Sequence, residues 1–69
     1  MKKLRYEWIE ASDINSFYCY WLRATVLHTG RGVWLVKKAD GTYLGASTGG
    51  YAYFFSSYKA RLAAEKELS

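Results

Sequence analysis

Residues 3–9 alternate, with Lys3, Arg5 and Glu7 on one side and Leu4, Tyr6 and Trp8 on the other. A period of two marks a strand with one buried face. The stretch "ASDIN" at 11–15 then supplies the Ser, Asp and Asn of a turn.

Two periods compete over residues 13–28. Ile14, Phe17, Tyr18, Trp21, Leu22 and Val26 fall on one helical stripe, and Ser12 is placed to cap it. Aromatic and β-branched residues dominate the segment, however, and from Leu22 onward the pattern alternates, which favours a strand over 17–28. The downstream rhythm agrees. Glycine turns at 29–33 ("TGRGV"), 38–42 ("KADGT") and 48–51 ("TGGY") recur at intervals of roughly ten residues, as in an antiparallel meander.

Loop length sets register, so the faces follow from the turns. Three-residue loops "GRG" and "ADG" and a two-residue "GG" turn pair Thr29 with Val33, Lys38 with Thr42 and Thr48 with Tyr51. One face then collects Tyr18, Tyr20, Leu22, Ala24, Val26, Trp34, Val36, Leu44, Ala46, Tyr51, Tyr53 and Phe55. The other collects Phe17, Cys19, Trp21, Arg23, Thr25, Leu27, Leu35, Lys37, Tyr43, Gly45, Ser47 and Phe54. The first is the expected core face.

From Ser56 the chain turns helical. Ser56 or Ser57 is a fitting N-cap for "YKARLAAEKEL", which is rich in strong helix formers. Phe55, Tyr58 and Leu62 make its apolar stripe, with Ala63 and Leu68 at the margins, and Arg61 and Glu65 stand at pairing distance i,i+4. The expected fold is α+β. An antiparallel β-meander of four to five strands (about 3–9, 17–28, 33–38, 42–47 and 51–55) is packed on one face by a C-terminal α-helix (about 57–68).

Composition narrows the function. With 69 residues there is room for one small domain, and three Trp, seven Tyr and three Phe supply the buried area that such a short chain needs. A single Cys forms no internal disulfide, and together with a single His it makes no zinc set, so no metal or other cofactor is expected. The lone thiol suits a reducing cytoplasm. No apolar run approaches the roughly 20 residues of a membrane span, and no apolar segment follows the basic start, so neither membrane nor secretion is expected.

Enzyme chemistry finds no footing. Asp and Glu at 7, 10, 13, 40, 65 and 67 form no cross-strand dyad, and Cys19 and His28 fall on opposite faces of one expected strand. "GASTGGY" has the length of a phosphate loop but carries Tyr51 where that loop needs lysine.

Net charge is +4, which favours acidic partners. On the second face Arg23, Thr25, Lys37 and Tyr43 become neighbours, and Arg31, Lys38 and the basic Lys2, Lys3 and Arg5 add charge around them. Cations neutralise phosphates and aromatic rings stack on bases. The chain is therefore read as a small non-enzymatic nucleic-acid-binding module of the phage or mobile-element accessory type, using Arg23, Arg31, Lys37, Lys38 and Tyr43. It is expected to be a monomer or weak homodimer. The alternative is an inhibitor or adaptor, such as an anti-defence, anti-CRISPR-like factor, that docks a host protein or nucleoprotein through Phe17, Trp21 and Phe54. For Phe17, Cys19 and Trp21 themselves burial is the expectation: the strand at 3–9 folds over them with Leu4, Tyr6 and Trp8 and closes a small barrel, leaving part of the Trp21 indole for a partner.

Overall fold

A computed structural model describes residues 3–11, 15–45 and 50–69. Four strands, β1 (Ile9–Glu10), β2 (Ser16–Cys19), β3 (Ala24–His28) and β4 (Trp34–Lys37), form one antiparallel sheet in the order β1-β2-β3-β4. Helix α1 (Ser57–Leu68) packs on one face of it. This is the expected α+β plan, with a helix that begins and ends where its composition predicts.

The two glycine loops that lie within the described residues set the register as expected. Thr29 N–H donates to Val33 O at 2.9 Å, and the β3–β4 ladder pairs Thr25 with Lys37, Val26 with Val36, Leu27 with Leu35 and His28 with Trp34. Lys38 N–H donates to Thr42 O at 2.7 Å, which brings Tyr43 opposite Lys37. The loop needs a left-handed residue, and Gly41 supplies it at φ 89°. The Thr48–Tyr51 pairing, the Ser12 cap, Ile14 of the helical stripe, Ala46 and Ser47 of the faces, and Lys2 all lie outside the described residues.

Residues 17–28 are not one strand. A four-residue turn, Tyr20–Arg23, folds the segment into a hairpin in which Cys19 pairs with Ala24 and Phe17 with Val26. Paired residues share a face, so Phe17 and Cys19 point to the helix side with Val26 and Val36. Tyr18, Tyr20 and Leu22 lose their expected core places, and Tyr20 and Trp21 lie exposed in the turn. A strand folded back at an even-length turn reverses the parity of its first half, which is why the face assignments of Phe17, Tyr18 and Cys19 invert.

A second inversion follows β4. Of the expected strands at 42–47 and 51–55, the described residues 42–45 and 51–55 show only single bridges, Lys37–Tyr43 and Trp34–Phe54. A two-residue turn at 49–50 would set Leu44 opposite Phe55, but Ala52 N–H donates to Leu44 O at 2.9 Å. This odd shift turns Phe54 inward and leaves Tyr51, Tyr53 and Phe55 exposed. Gly45 sits at this crossing with φ 88°, and a Cβ there would lie 2.7 Å from Ala52 N. Only a residue without a side chain permits that approach.

The core is small. Val26 and Val36 from the sheet meet Ala60 and Ala64 from α1, with Trp8, Phe17, Trp34, Leu44, Phe54 and Leu68 packed around them. Alanines at i and i+4 let the helix approach the sheet closely, so Ala60 and Ala64 rather than Tyr58 and Leu62 make its buried stripe. Ser56 caps it by accepting from Lys59 N–H at 3.1 Å.

The alternation of residues 3–8 survives as alternating burial, but only Ile9 and Glu10 join the ladder. The segment docks on α1 instead. Glu65 accepts from Arg5 N–H at 2.7 Å, Tyr6 N–H at 3.0 Å and Trp8 Nε1–H at 3.0 Å. The segment therefore lies on the helix side of the sheet, and Trp21 is left uncovered, contrary to the barrel arrangement. Glu65 is thus engaged away from Arg61, whose guanidinium lies 4.3 Å over the Phe17 ring and donates to the carbonyl oxygen of Ser57.

Candidate nucleic-acid interface

Lys37 owes its position to register. Val36 points into the core beneath α1, so Lys37, the next residue of β4, projects from the opposite face and is exposed. It stands between Thr25 on β3 and Tyr43 beyond the Lys38–Thr42 loop. The Tyr43 ring lies 5.0 Å from that of Tyr51 at an angle of 48°, an arrangement that holds the phenol in place.

The loop also carries a carboxylate, Asp40. Asp40 Oδ1 accepts from Thr42 Oγ1 at 2.6 Å and from Thr42 N–H at 3.0 Å. These bonds, the hydroxyl one first, hold its carboxyl below the ordinary value of 3.8, with help from the Lys38 charge. Its Oδ1 is thus engaged by its own loop.

Arg23 reaches the same end by a different route. It closes the Tyr20–Arg23 turn with φ 52°, a left-handed conformation unusual for a residue with a Cβ, and leads directly into Ala24 and Thr25. Because Thr25 pairs with Lys37, the turn and the Lys38–Thr42 loop lie side by side at one end of the sheet. Arg23, Lys37, Lys38 and Tyr43 are therefore together. Arg31 is not among them. It stands exposed in the loop joining β3 to β4 at the other end, a strand length of about 13 Å away at roughly 3.3 Å per residue. There His28 Nε2 accepts from Gly32 N–H at 2.9 Å, and the His28 ring lies 4.7 Å from that of Trp34.

Of the three aromatic residues expected to meet a partner, two are committed to the core. Phe17 packs 5.9 Å from Trp34 beneath Arg61, and Phe54 packs against the Val26–Val36 cluster. Trp21 alone is open, at 77% exposure, and beside it Tyr20 is 74% exposed. Sequence reasoning placed Tyr20 in the core because the turn that exposes it contains no glycine, proline, asparagine or aspartate. The left-handed position is taken by an arginine, which gives no signal in the pattern.

Cys19 is fully buried at the Ala24 end of the sheet and His28 closes β3 at the other. They now share a face, but about 13 Å of strand at roughly 3.3 Å per residue separates them along the sheet, so they form no nucleophile–base pair. Among the described residues no three His, Cys, Asp or Glu side chains group to hold a metal ion, and no helix is long and apolar enough to cross a membrane. A groove of about 720 Å³ beside α1 is lined by Lys3, Arg5 and Lys66, but its carboxylate, Glu65, is saturated by the docking bonds and its lining holds no aromatic ring.

No known protein family, curated protein or solved structure matches the chain. Its charge distribution adds the last feature. Residues 15–45 contain Arg23, Arg31, Lys37 and Lys38 against the single carboxylate Asp40, whereas the other acidic side chains belong to the segments on either side.

Proposed function

We propose that this chain is a small non-enzymatic module that binds nucleic acid through the basic, aromatic end of its sheet. The observation that carries the reading is the Lys37–Tyr43 bridge beside the Arg23 turn, which sets two exposed cations next to a braced tyrosine. Lysine and arginine there neutralise phosphates and release counterions, and the tyrosine offers a base a stacking surface. Lys38 flanks the contact, and Arg31 provides a separate one at the far end for a ligand long enough to reach it. A fully buried thiol fits a protein kept in a reducing cytoplasm, and a compact basic domain without catalytic groups fits an accessory protein of a phage or mobile element.

The test is the paired substitution Arg23→Glu and Lys37→Glu. Both side chains are exposed, so the fold should persist while binding to a labelled oligonucleotide is lost. The parent's affinity should fall steeply with salt, because each neutralised phosphate adds about 0.7–0.9 to the slope of log K against log salt. A double variant that binds like the parent refutes the reading. One observation favours a second reading, an inhibitor or adaptor of a host protein: Trp21 is 77% exposed, and interface energy concentrates in such residues. Association that depends on Trp21 but is indifferent to salt and to nuclease would select it.

A further inference from the structure

The basic end of the sheet carries two large aromatic side chains that phosphate binding does not use. Tyr20 and Trp21 are consecutive at the tip of the β2–β3 hairpin, 74% and 77% exposed, and Arg23 shares their turn. A turn whose only task is to reverse the chain is ordinarily built from small polar residues. This one instead holds a phenol and an indole in water beside cations, at a conformational cost taken by Arg23 at φ 52°.

We propose that the ligand of this end is an unpaired nucleic-acid strand, with bases stacked on Trp21 and Tyr20 and flanking phosphates held by Arg23 and Lys37. This rests on the nucleic-acid reading above and specifies the substrate class. The geometry suits an unpaired strand. From Thr25, two residues beyond Arg23, across β4 to Tyr43 is two strand spacings, roughly 10 Å at ~4.8 Å per spacing, and the turn lies just outside that span. That distance matches about three nucleotides at the roughly 3.4 Å rise of a stacked strand. The indole at one end and Tyr43, braced by Tyr51, at the other are thus placed to bracket a short run of bases, with Lys37 between them. A duplex gives those rings nothing to stack on, because its bases are already stacked. Nor is the hairpin a free ribbon able to enter a major groove: β4 flanks β3 from Thr25 to His28, and only the four-residue turn stands clear.

The experiment compares a labelled decathymidylate, the corresponding oligouridylate and a duplex of equal length, each titrated with the full chain at low salt. Trp21→Ala, Trp21→Phe and the Arg23→Glu, Lys37→Glu pair are measured alongside. The expected result is at least ~10-fold preference for either unpaired strand, with quenching of indole emission on binding. Trp21→Ala should weaken unpaired binding ~5- to 100-fold, the range of one lost base–aromatic stack, without changing the salt slope. Trp21→Phe should retain most of the affinity but lose most of the quench, since Trp8 and Trp34 are half-buried in the core packing. Melting of Trp21→Ala with the parent verifies that the loss is one of contact. If duplex binds as well as the unpaired strands and Trp21→Ala is neutral while the charge-reversal pair still abolishes binding, this inference is wrong and the broader reading stands. If no oligonucleotide binds in a salt-dependent manner, both are wrong.

Discussion

Glu65→Ala should destabilise this domain far more than removal of an average helix glutamate. The side chain is 4% exposed and its carboxylate accepts three hydrogen bonds, from Arg5 N–H, Tyr6 N–H and Trp8 Nε1–H. Bonds to a charged acceptor contribute about 1.5–3 kcal/mol each when both partners are buried. Their sum is an upper bound, because the 3–8 segment can peel away from α1 and let water take over its donors. What is then lost is the docking itself and the packing of Trp8 against the core, so the expected cost is about 2–4 kcal/mol, a large share of the few kcal/mol that stabilise so small a domain. In a chain of this length that corresponds to a melting point lower by roughly 10–30 °C. Glu65→Gln should fall between, since its amide keeps one acceptor but turns a donor toward an N–H group. The sign with pH is equally defined. Burial pushes the Glu65 carboxyl up, but the bonds from Arg5, Trp8 and Tyr6 and the Arg5 charge outweigh it and hold the group below its ordinary 4.5. The stability it contributes is therefore present above pH 4.5 and drains away as pH falls through the lower folded-state value. Thermal melts of parent and Glu65→Ala between neutral pH and about pH 3 should converge on the acid side. Hydrogen exchange supplies the local readout: the Arg5 and Tyr6 amides should be protected in the parent and exchange freely in the variant. A variant that melts with the parent, or that leaves those two amides protected, refutes the docking.

Gly45→Ala should cost clearly more than Gly41→Ala, although both glycines have φ near +89°. A Cβ at Gly41 meets open space, while one at Gly45 would lie 2.7 Å from the Ala52 backbone, so strain of about 1–2 kcal/mol at the first grows to several at the second. Equal melting points for the two variants would refute the chain crossing there. Val36→Ala removes two methylene equivalents beneath Ala60 and Ala64 and should cost about 2–3 kcal/mol by urea denaturation, transfer and cavity contributions together; an unchanged midpoint would mean that the helix sits elsewhere.

The signals that were legible in the sequence are those written in local chemistry. The Ser56 cap, the run of helix formers and the glycines at 32 and 41 act within a few residues of themselves, so α1, the β3–β4 register and the Lys37–Tyr43 bridge follow from pattern alone. Alternation at 3–8 correctly announced which residues are partly buried, but not against what. Only tertiary structure decided that Glu65 would hold this segment on the helix, because the pairing joins residues about sixty positions apart and uses backbone donors that every sequence possesses. The same limit applies to the interface. A turn at Tyr20–Arg23, closed by an arginine at positive φ, is selected because it brings Phe17 and Cys19 over Val26 and Ala24, and that gain is invisible to a window centred on the turn. Strand faces invert with every odd shift, so two unflagged shifts, the Tyr20–Arg23 turn and the Leu44–Ala52 crossing, were enough to exchange core for surface at Phe17, Tyr18, Tyr20, Tyr51, Tyr53, Phe54 and Phe55 while leaving the architecture unchanged. The basic cluster was legible because it depends on a loop whose chemistry is local; the exposed Trp21 beside it was settled only by the fold, since burial is a property of what the rest of the chain covers.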